Sequence, residues 1–319
     1  MNANKSPLKY QHPFIDGLKV LPQNRSEDLV KVRTWMDQQP HLPHISDEYI
    51  YLFLHACYYD HEKTKHTIET YFTIRGNSPA IFSNRDPFSE SMEYISSLGL
   101  LMLLPHETSE GYKVLLYVIK ENASTEYVFS DAVKAFCMFN DCILSEDGLA
   151  EGYIVIFDMK NLRFGHLAHL NLYILRTFMV YIQEAHPARL KAIHVINTMG
   201  FIKNIMRILQ PMMRSELMGL LKFHTGNVPD PLPQEMMPKD YGGDAPSFKE
   251  LGEQVFKMRH RYAEWLKESQ YFVSDETKRV RKNWWWSIFG GNSNTNNAES
   301  SEKSLSCDES KVFKSLEID

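Results

Sequence analysis

The stretch that decides the fold is "LKAIHVINTMGFIKNIMRILQPMMRSEL", Leu190 to Leu217. It opens as a buried strand: Ala192, Ile193, Val195 and Ile196 are apolar, with only His194 among them. Within five residues the pattern changes to helical spacing. Phe201, Ile205, Ile208 and Met212 recur at intervals of four, three and four, and Ile202, Met206, Leu209 and Met213 repeat this one residue later. Two adjacent stripes make an apolar face wider than a surface helix needs. Lys203, Asn204, Arg207 and Gln210 supply a narrow polar edge. Such a face covers either a protein core or something else that is broad and apolar.

Upstream, "LGLLMLLP", "YKVLLYVI" and "GYIVIFDM" have the same strand character as "KAIHVIN", and long helical segments separate the last three of these four runs. Runs that are apolar throughout predict strands buried on both faces, with helices packed on a sheet. The fold class is α/β. Before it, three short helices are expected: one capped by Ser26 carrying Leu29, Val32 and Met36, one starting at Ser46, and one capped by Asp60 with Ile68, Tyr71 and Phe72 on one side. The expected division is a flexible arm over 1–22, a helical module over 23–80, the α/β domain over 81–272, and a tail over 273–319.

With 319 residues, 43% of them hydrophobic, the chain can bury a substantial core. A formal charge of −5 gives no general attraction for nucleic acid. No apolar run reaches the roughly eighteen residues that a membrane span needs, and no signal core opens the chain. Cys57, Cys137, Cys142 and Cys307 lack framework spacing, which suits reduced thiols and a cytoplasmic location.

Catalytic motifs are sought in vain: no nucleophile elbow, dinucleotide turn or phosphate-binding loop occurs. "HEKTKH" places His61 and His66 five apart, about 140° round a helix, where metal-binding pairs sit four apart. His166 and His169 read as capping or surface histidines with no third ligand, and His194 as a core histidine held by a hydrogen bond. Asp158 closes a strand, a position shared by catalytic carboxylates and by those that bond nearby main-chain N–H groups. Neither an enzyme nor a cofactor or metal site is expected.

The order of motifs resembles the CRAL-TRIO lipid-binding family, and within it the branch of alpha-tocopherol transfer protein and cellular retinaldehyde-binding protein. The resemblance rests on "YIYLFLHACYYDHEKTKHTIETYFTIRGNSPAIF", "EGYKVLLYVI", "GYIVIFDMKNLRFGH", "HPARLKAIHVIN" and "MMPKDYGGDAPSFKEL", in that order. It implies a mostly parallel sheet flooring an apolar lipid cavity, closed by a mobile gate helix and preceded by the helical module. It also implies a lining of Phe139, Phe157, Leu170, Phe178, Tyr181, Ile182 and Ile193, with Phe201, Ile205 and Leu209 in the gate. Phe178, Tyr181 and His186 stand at pocket positions where the tocopherol binder carries smaller or different side chains.

For phosphoinositide, Arg189 and Lys191 match the family's first two basic positions. The next two are Glu216 and Leu220, and the module's arginine is His55, so that recognition is weakened or re-made with Lys203 and Arg207 on the gate edge. The implied function is a monomeric carrier moving a tocopherol-, retinoid- or similar lipid ligand between membranes. The alternative is a lipid-sensing regulatory module that docks membranes or partners without transfer. The resemblance leaves "KRVRKNWWWSIF" unexplained. There Lys278, Arg279, Arg281 and Lys282 precede Trp284, Trp285 and Trp286, an order suited to docking on an anionic bilayer or to folding back over an apolar groove.

Overall fold

A computed structural model describes residues 23–280, apart from 122, 148, 199, 201 and 231. The helical module opens with α1 (Ser26–Met36), α2 (Asp47–Ala56), α3 (His61–Asn77) and the short α4 (Pro79–Phe82). Ser46 and Asp60 cap α2 and α3 as read, accepting hydrogen bonds from the Tyr49 and Lys63 main-chain N–H groups. Ser26 instead begins α1, and the residue at its cap is Arg25, which makes no capping bond.

Next come α5 (Glu90–Leu98), β1 (Gly99–Leu103), β2 (Lys113–Ile119), α6 (Phe129–Asp147), β3 (Tyr153–Asp158), α7 (Phe164–Leu167), α8 (Leu172–Val180) and β4 (Leu190–Ile196). A π-helical turn, Tyr181–Ala185, extends α8. The chain then forms α9 (Ile202–Leu209), α10 (Ser215–Gly219), β5 (Leu221–Phe223) and the long α11 (Phe248–Ser269).

The five strands lie in chain order, β1-β2-β3-β4-β5. β1 runs antiparallel to β2, and the remaining three pairings are parallel. The sheet is buried on both faces, as continuously apolar strands require. Val114, Leu116 and Val118 of β2 pack with Met237, Tyr241 and Leu251 below the sheet. Leu115 and Tyr117 point the other way, into a core shared with α6 and the helical module. Ile193 and Val195 of β4 meet α8 and α9.

Two buried polar knots hold these layers. Arg75 of α3 and Arg85 both donate to Asp141 of α6, and all three are buried. Arg85 also donates to Ser269 Oγ at the end of α11, 2.6 Å away. Below the sheet, Asp158 accepts from the Tyr241 hydroxyl, from Asn197 Nδ2 at 2.8 Å and from the Lys160 main-chain N–H at 2.8 Å. Its work is therefore structural: it ties the "DYGG" segment and the left-handed Asn197 (φ 51°) to the end of β3. Gly243 is obligatory there, since a Cβ would stand 2.0 Å from the Met237 carbonyl oxygen.

Candidate ligand-binding site

A cavity of about 810 Å³ lies on the β1 side of the sheet. Its walls come from α5 (Met92, Ile95), α6 (Ala135, Phe139), β2 (Tyr117), β3 (Phe157) and α11 (Val255, Met258). Glu93, Lys120, Glu253 and Arg259 add charge to this otherwise largely apolar lining. A second pocket of about 90 Å³ lies between α6, the α8 extension and β4, walled by Phe136, Phe178, Ile182 and Ile193. Phe157 belongs to both walls. The small pocket is small because aromatic rings fill it: Phe136 meets Tyr117 and Phe178 edge-on, each at 5.1 Å.

The wide-faced helix is α9, and it lies over the α8 and β4 side. Ile208 is buried against Ile193, Val195 and Leu175, with Leu170, Leu209, Met212 and Met213 around them. Ile205 is half-buried on the same helix, and Phe201 lies outside the described residues. Lys203 and Arg207 are exposed, as the polar edge requires. Gln183 latches the far end of this segment, donating to the Met212 carbonyl at 3.0 Å and accepting from the Arg214 main-chain N–H at 2.7 Å. Glu184 accepts from Arg214 at 2.6 Å and pairs with His66 of the helical module at 2.8 Å.

The expected lining residues thus separate into three places. Phe139 and Phe157 reach the large cavity, Phe157 again with Phe178, Ile182 and Ile193 the small one, and Leu170 and Leu209 the packing under α9. Tyr181 is a correction. The resemblance places it in the pocket lining, but it is 1% exposed, accepts from Arg75 at 3.2 Å and packs against Tyr71 and Phe82. The turn from α8 into the π-helical segment directs it at the helical module. Sequence reading missed the α5 and α11 walls, because nothing local says that these helices flank a void.

The basic positions are also engaged. Arg189 donates to the His55 carbonyl at 2.7 Å, lies 4.3 Å over the Tyr58 ring and approaches Glu151 at 3.5 Å. Lys191 donates to the Tyr58 hydroxyl at 3.0 Å. Tyr58 and Tyr59 both have positive φ, so the backbone is strained where this shelf forms. Burial, then the charges of Arg189 and Lys191, lower the His55 pKa to about 4, leaving it neutral beside them. The described contacts join Arg189 and Lys191 to Tyr58 but join neither to Lys203 or Arg207.

Arg279 is a second correction. Its side chain is 7% exposed and binds Glu69, Glu276 and Thr73 Oγ1, so it is not presented to a bilayer. Lys278 remains largely exposed beside Asp275, while Arg281, Lys282, Trp284, Trp285 and Trp286 lie outside the described residues.

The histidines find separate partners. His61 bonds Asp28 at 2.7 Å, and His66 bonds Glu184. The Nδ1 of His166 accepts from the Arg163 main-chain N–H at 2.9 Å and caps α7. His194 Nδ1 meets His224 Nε2 at 2.9 Å, and burial, then His224 and Lys222, lower its pKa to about 4.

The family description "CRAL/TRIO domain" matches residues 99–243, spanning the sheet from β1 through the "YGG" turn. The chain carries a CRAL/TRIO domain. A second description, "Pinta-like, UBA domain", matches residues 21–92, which include the helical module before the CRAL/TRIO domain. An alpha-tocopherol transfer protein-like protein of Mus musculus is 24% identical over 236 residues, 72% of this chain and 68% of that one. Clavesin-2 of Homo sapiens is 22% identical over 289 residues, 88% of this chain and 87% of its own. A solved structure titled "Crystal structure of Sfh5" aligns with a TM-score of 0.45 at 12% identity, over 67% of this chain and 83% of that one. Among the described residues no helix is long and apolar enough to cross a membrane.

Proposed function

We propose that this chain is an intracellular carrier that takes up a small hydrophobic molecule of the tocopherol, retinoid or similar lipid class and passes it between membranes. The observation that carries this reading is the cavity of about 810 Å³, sharing Phe157 with the pocket beside β4 and walled by strands and a helix of the CRAL/TRIO domain together with α5 and α11. Each buried CH₂ gains about 0.8 kcal/mol, so a ligand of about fifteen carbons gains roughly 12 kcal/mol before ordering costs. That gain is measured from water, so the apolar space offsets what the ligand loses on leaving a bilayer and keeps it out of water in transit. The relative named a transfer protein supports the same reading. Delivery would use an anionic surface: Lys203 and Arg207 are exposed on α9, and Arg189 and Lys191 form a cationic shelf on Tyr58. An anionic headgroup that engaged these cations better in the open arrangement would favour release at the right membrane.

Two measurements test this. Native mass spectrometry of the protein purified from its own host, followed by extraction, should yield a bound lipid. Sub-stoichiometric protein should then accelerate movement of that labelled lipid between vesicles, more so when the acceptor contains phosphoinositide. Phe178→Glu should abolish binding while leaving the circular dichroism spectrum unchanged. Binding without accelerated transfer would instead make the chain a lipid sensor.

A further inference from the structure

The small pocket contains an imidazole that tilts against the Tyr181 ring, its nitrogens without a hydrogen bond among the described residues. His186 lies in its wall with Phe178, Ile182 and Ile193, just past the π-helical turn that ends at Ala185. Its main-chain N–H donates to the Tyr181 carbonyl at 2.8 Å, which fixes the backbone. Its ring is another matter. Nδ1 is fully buried with no hydrogen-bond partner, and among the described residues no group bonds Nε2 either. Two other polar side chains in this wall, Asn140 and Tyr153, are not in that position. Asn140 bonds the Phe136 carbonyl at 2.8 Å and the Tyr117 hydroxyl at 3.3 Å, and Tyr153 also has a partner.

Buried polar atoms in folded proteins are nearly always partnered, and the cost of leaving one unmet is recovered only when something supplies the bond. The wall is otherwise apolar and lies beside the larger cavity, with Phe157 in both. From this we infer that His186 is the specificity-determining residue of the ligand site, hydrogen-bonding a single hydroxyl or carbonyl at one end of a long apolar molecule. The inference rests on the carrier reading above and goes beyond it by naming the polar contact and the ligand chemistry that it selects. The apolar body extends past Phe157 toward the large cavity, and the oxygen enters the small pocket.

The charge state suits the role. Burial lowers the His186 pKa to about 4, with the nearby Asp141 working against this and Arg75 adding to it. Near pH 7 the ring is therefore neutral, with one nitrogen donating and the other accepting. A hydroxyl can give its proton to the bare nitrogen, and a carbonyl can accept from the N–H. A pure hydrocarbon can do neither, and it leaves the ring as unmet as before.

The test uses a matched pair of fluorescent probes, pyrenyl-decanol and decylpyrene, which differ by one hydroxyl. The wild-type chain should bind the alcohol about tenfold more tightly, the size of one recovered hydrogen bond. His186→Phe should erase that preference, binding both probes alike, and His186→Gln, which keeps a donor and an acceptor, should restore most of it. The nitrogen resonances of the His186 ring should shift with the alcohol and not with the hydrocarbon. Equal binding of both probes by the wild type, or a preference that survives in His186→Phe, overturns the assignment and leaves the carrier reading standing. Failure of the wild type to bind either probe overturns the carrier reading itself, and this inference with it.

Discussion

At the residue scale, the most consequential group is Asp141. It is fully buried and accepts from two arginines that arrive from different parts of the chain, Arg75 and Arg85. Removing one partner of a buried ion cluster strands the others without solvent, at a cost of about 3–5 kcal/mol. Asp141→Asn should lower unfolding free energy by that order, as read from urea denaturation. Tyr181→Phe, which removes only an acceptor for Arg75, should cost about 1 kcal/mol. This cluster was not legible in the sequence: Arg75 and Asp141 are 66 positions apart, and no local spacing announces a pairing at that distance. Tyr181 was misread for the same reason. An aromatic residue on an apolar helical face can turn to a ligand or to a neighbouring domain, and the periodicity is identical for both. His194 was legible because a lone imidazole in an apolar strand has to be bonded, and His224 bonds it.

At the element scale, four strands and the three principal helices of the module could be read directly, because each carries its own periodicity over five or more residues. β5 could not. It is three residues long, mostly exposed, and exists by pairing with β4. The same limit hid the latch on the segment that follows α9. Gln183 and Glu184 sit in the π-helical turn, and irregularities of this kind often mark functional sites. Together they hold Met212 and Arg214 and reach His66 in the helical module. The Arg214–Glu184 pair is largely exposed on the arginine side and contributes little alone. The two Gln183 bonds to main-chain groups are what fix the segment. Gln183→Ala should therefore raise amide hydrogen exchange across residues 202–214 and speed ligand release, with under about 1.5 kcal/mol lost globally. Unchanged exchange in that segment would mean that the apolar contacts of Ile208 and Leu209 hold α9 without the latch.

At the scale of the whole molecule, the chain after α11 is a strap before it is a tail. Phe272 packs edge-on against Phe72 at 5.4 Å and stacks with Tyr49 at 6.3 Å. The Asp275 main-chain N–H donates to the His41 carbonyl at 2.7 Å, and Arg279 closes the strap on Glu69 and Thr73. The segment from Phe272 to Arg279 thus binds the end of α11 to the helical module. Truncation after Tyr271 should consequently destabilise the protein, since it removes a half-buried ring, worth part of the roughly 1.5–3 kcal/mol of a fully buried one, and one of the partners of Glu69. The informative cut lies after Val280. It keeps the strap and removes Arg281, Lys282 and the three tryptophans. Cations followed by indoles suit a bilayer interface, and each basic residue near an anionic surface contributes about 1 kcal/mol. With Arg279 committed to the fold, three cations of the run are left, and the two beyond Val280 contribute roughly 2 kcal/mol at low salt. Truncation after Val280 should leave the melting temperature unchanged and weaken binding to phosphatidylserine vesicles. The affinity that remains should depend less steeply on salt, because two of the charges that salt screens have gone while Lys278 and the α9 cations stay. A lowered melting temperature with vesicle binding intact would mean that the indoles cover an apolar surface of the protein, and the docking assignment would fail.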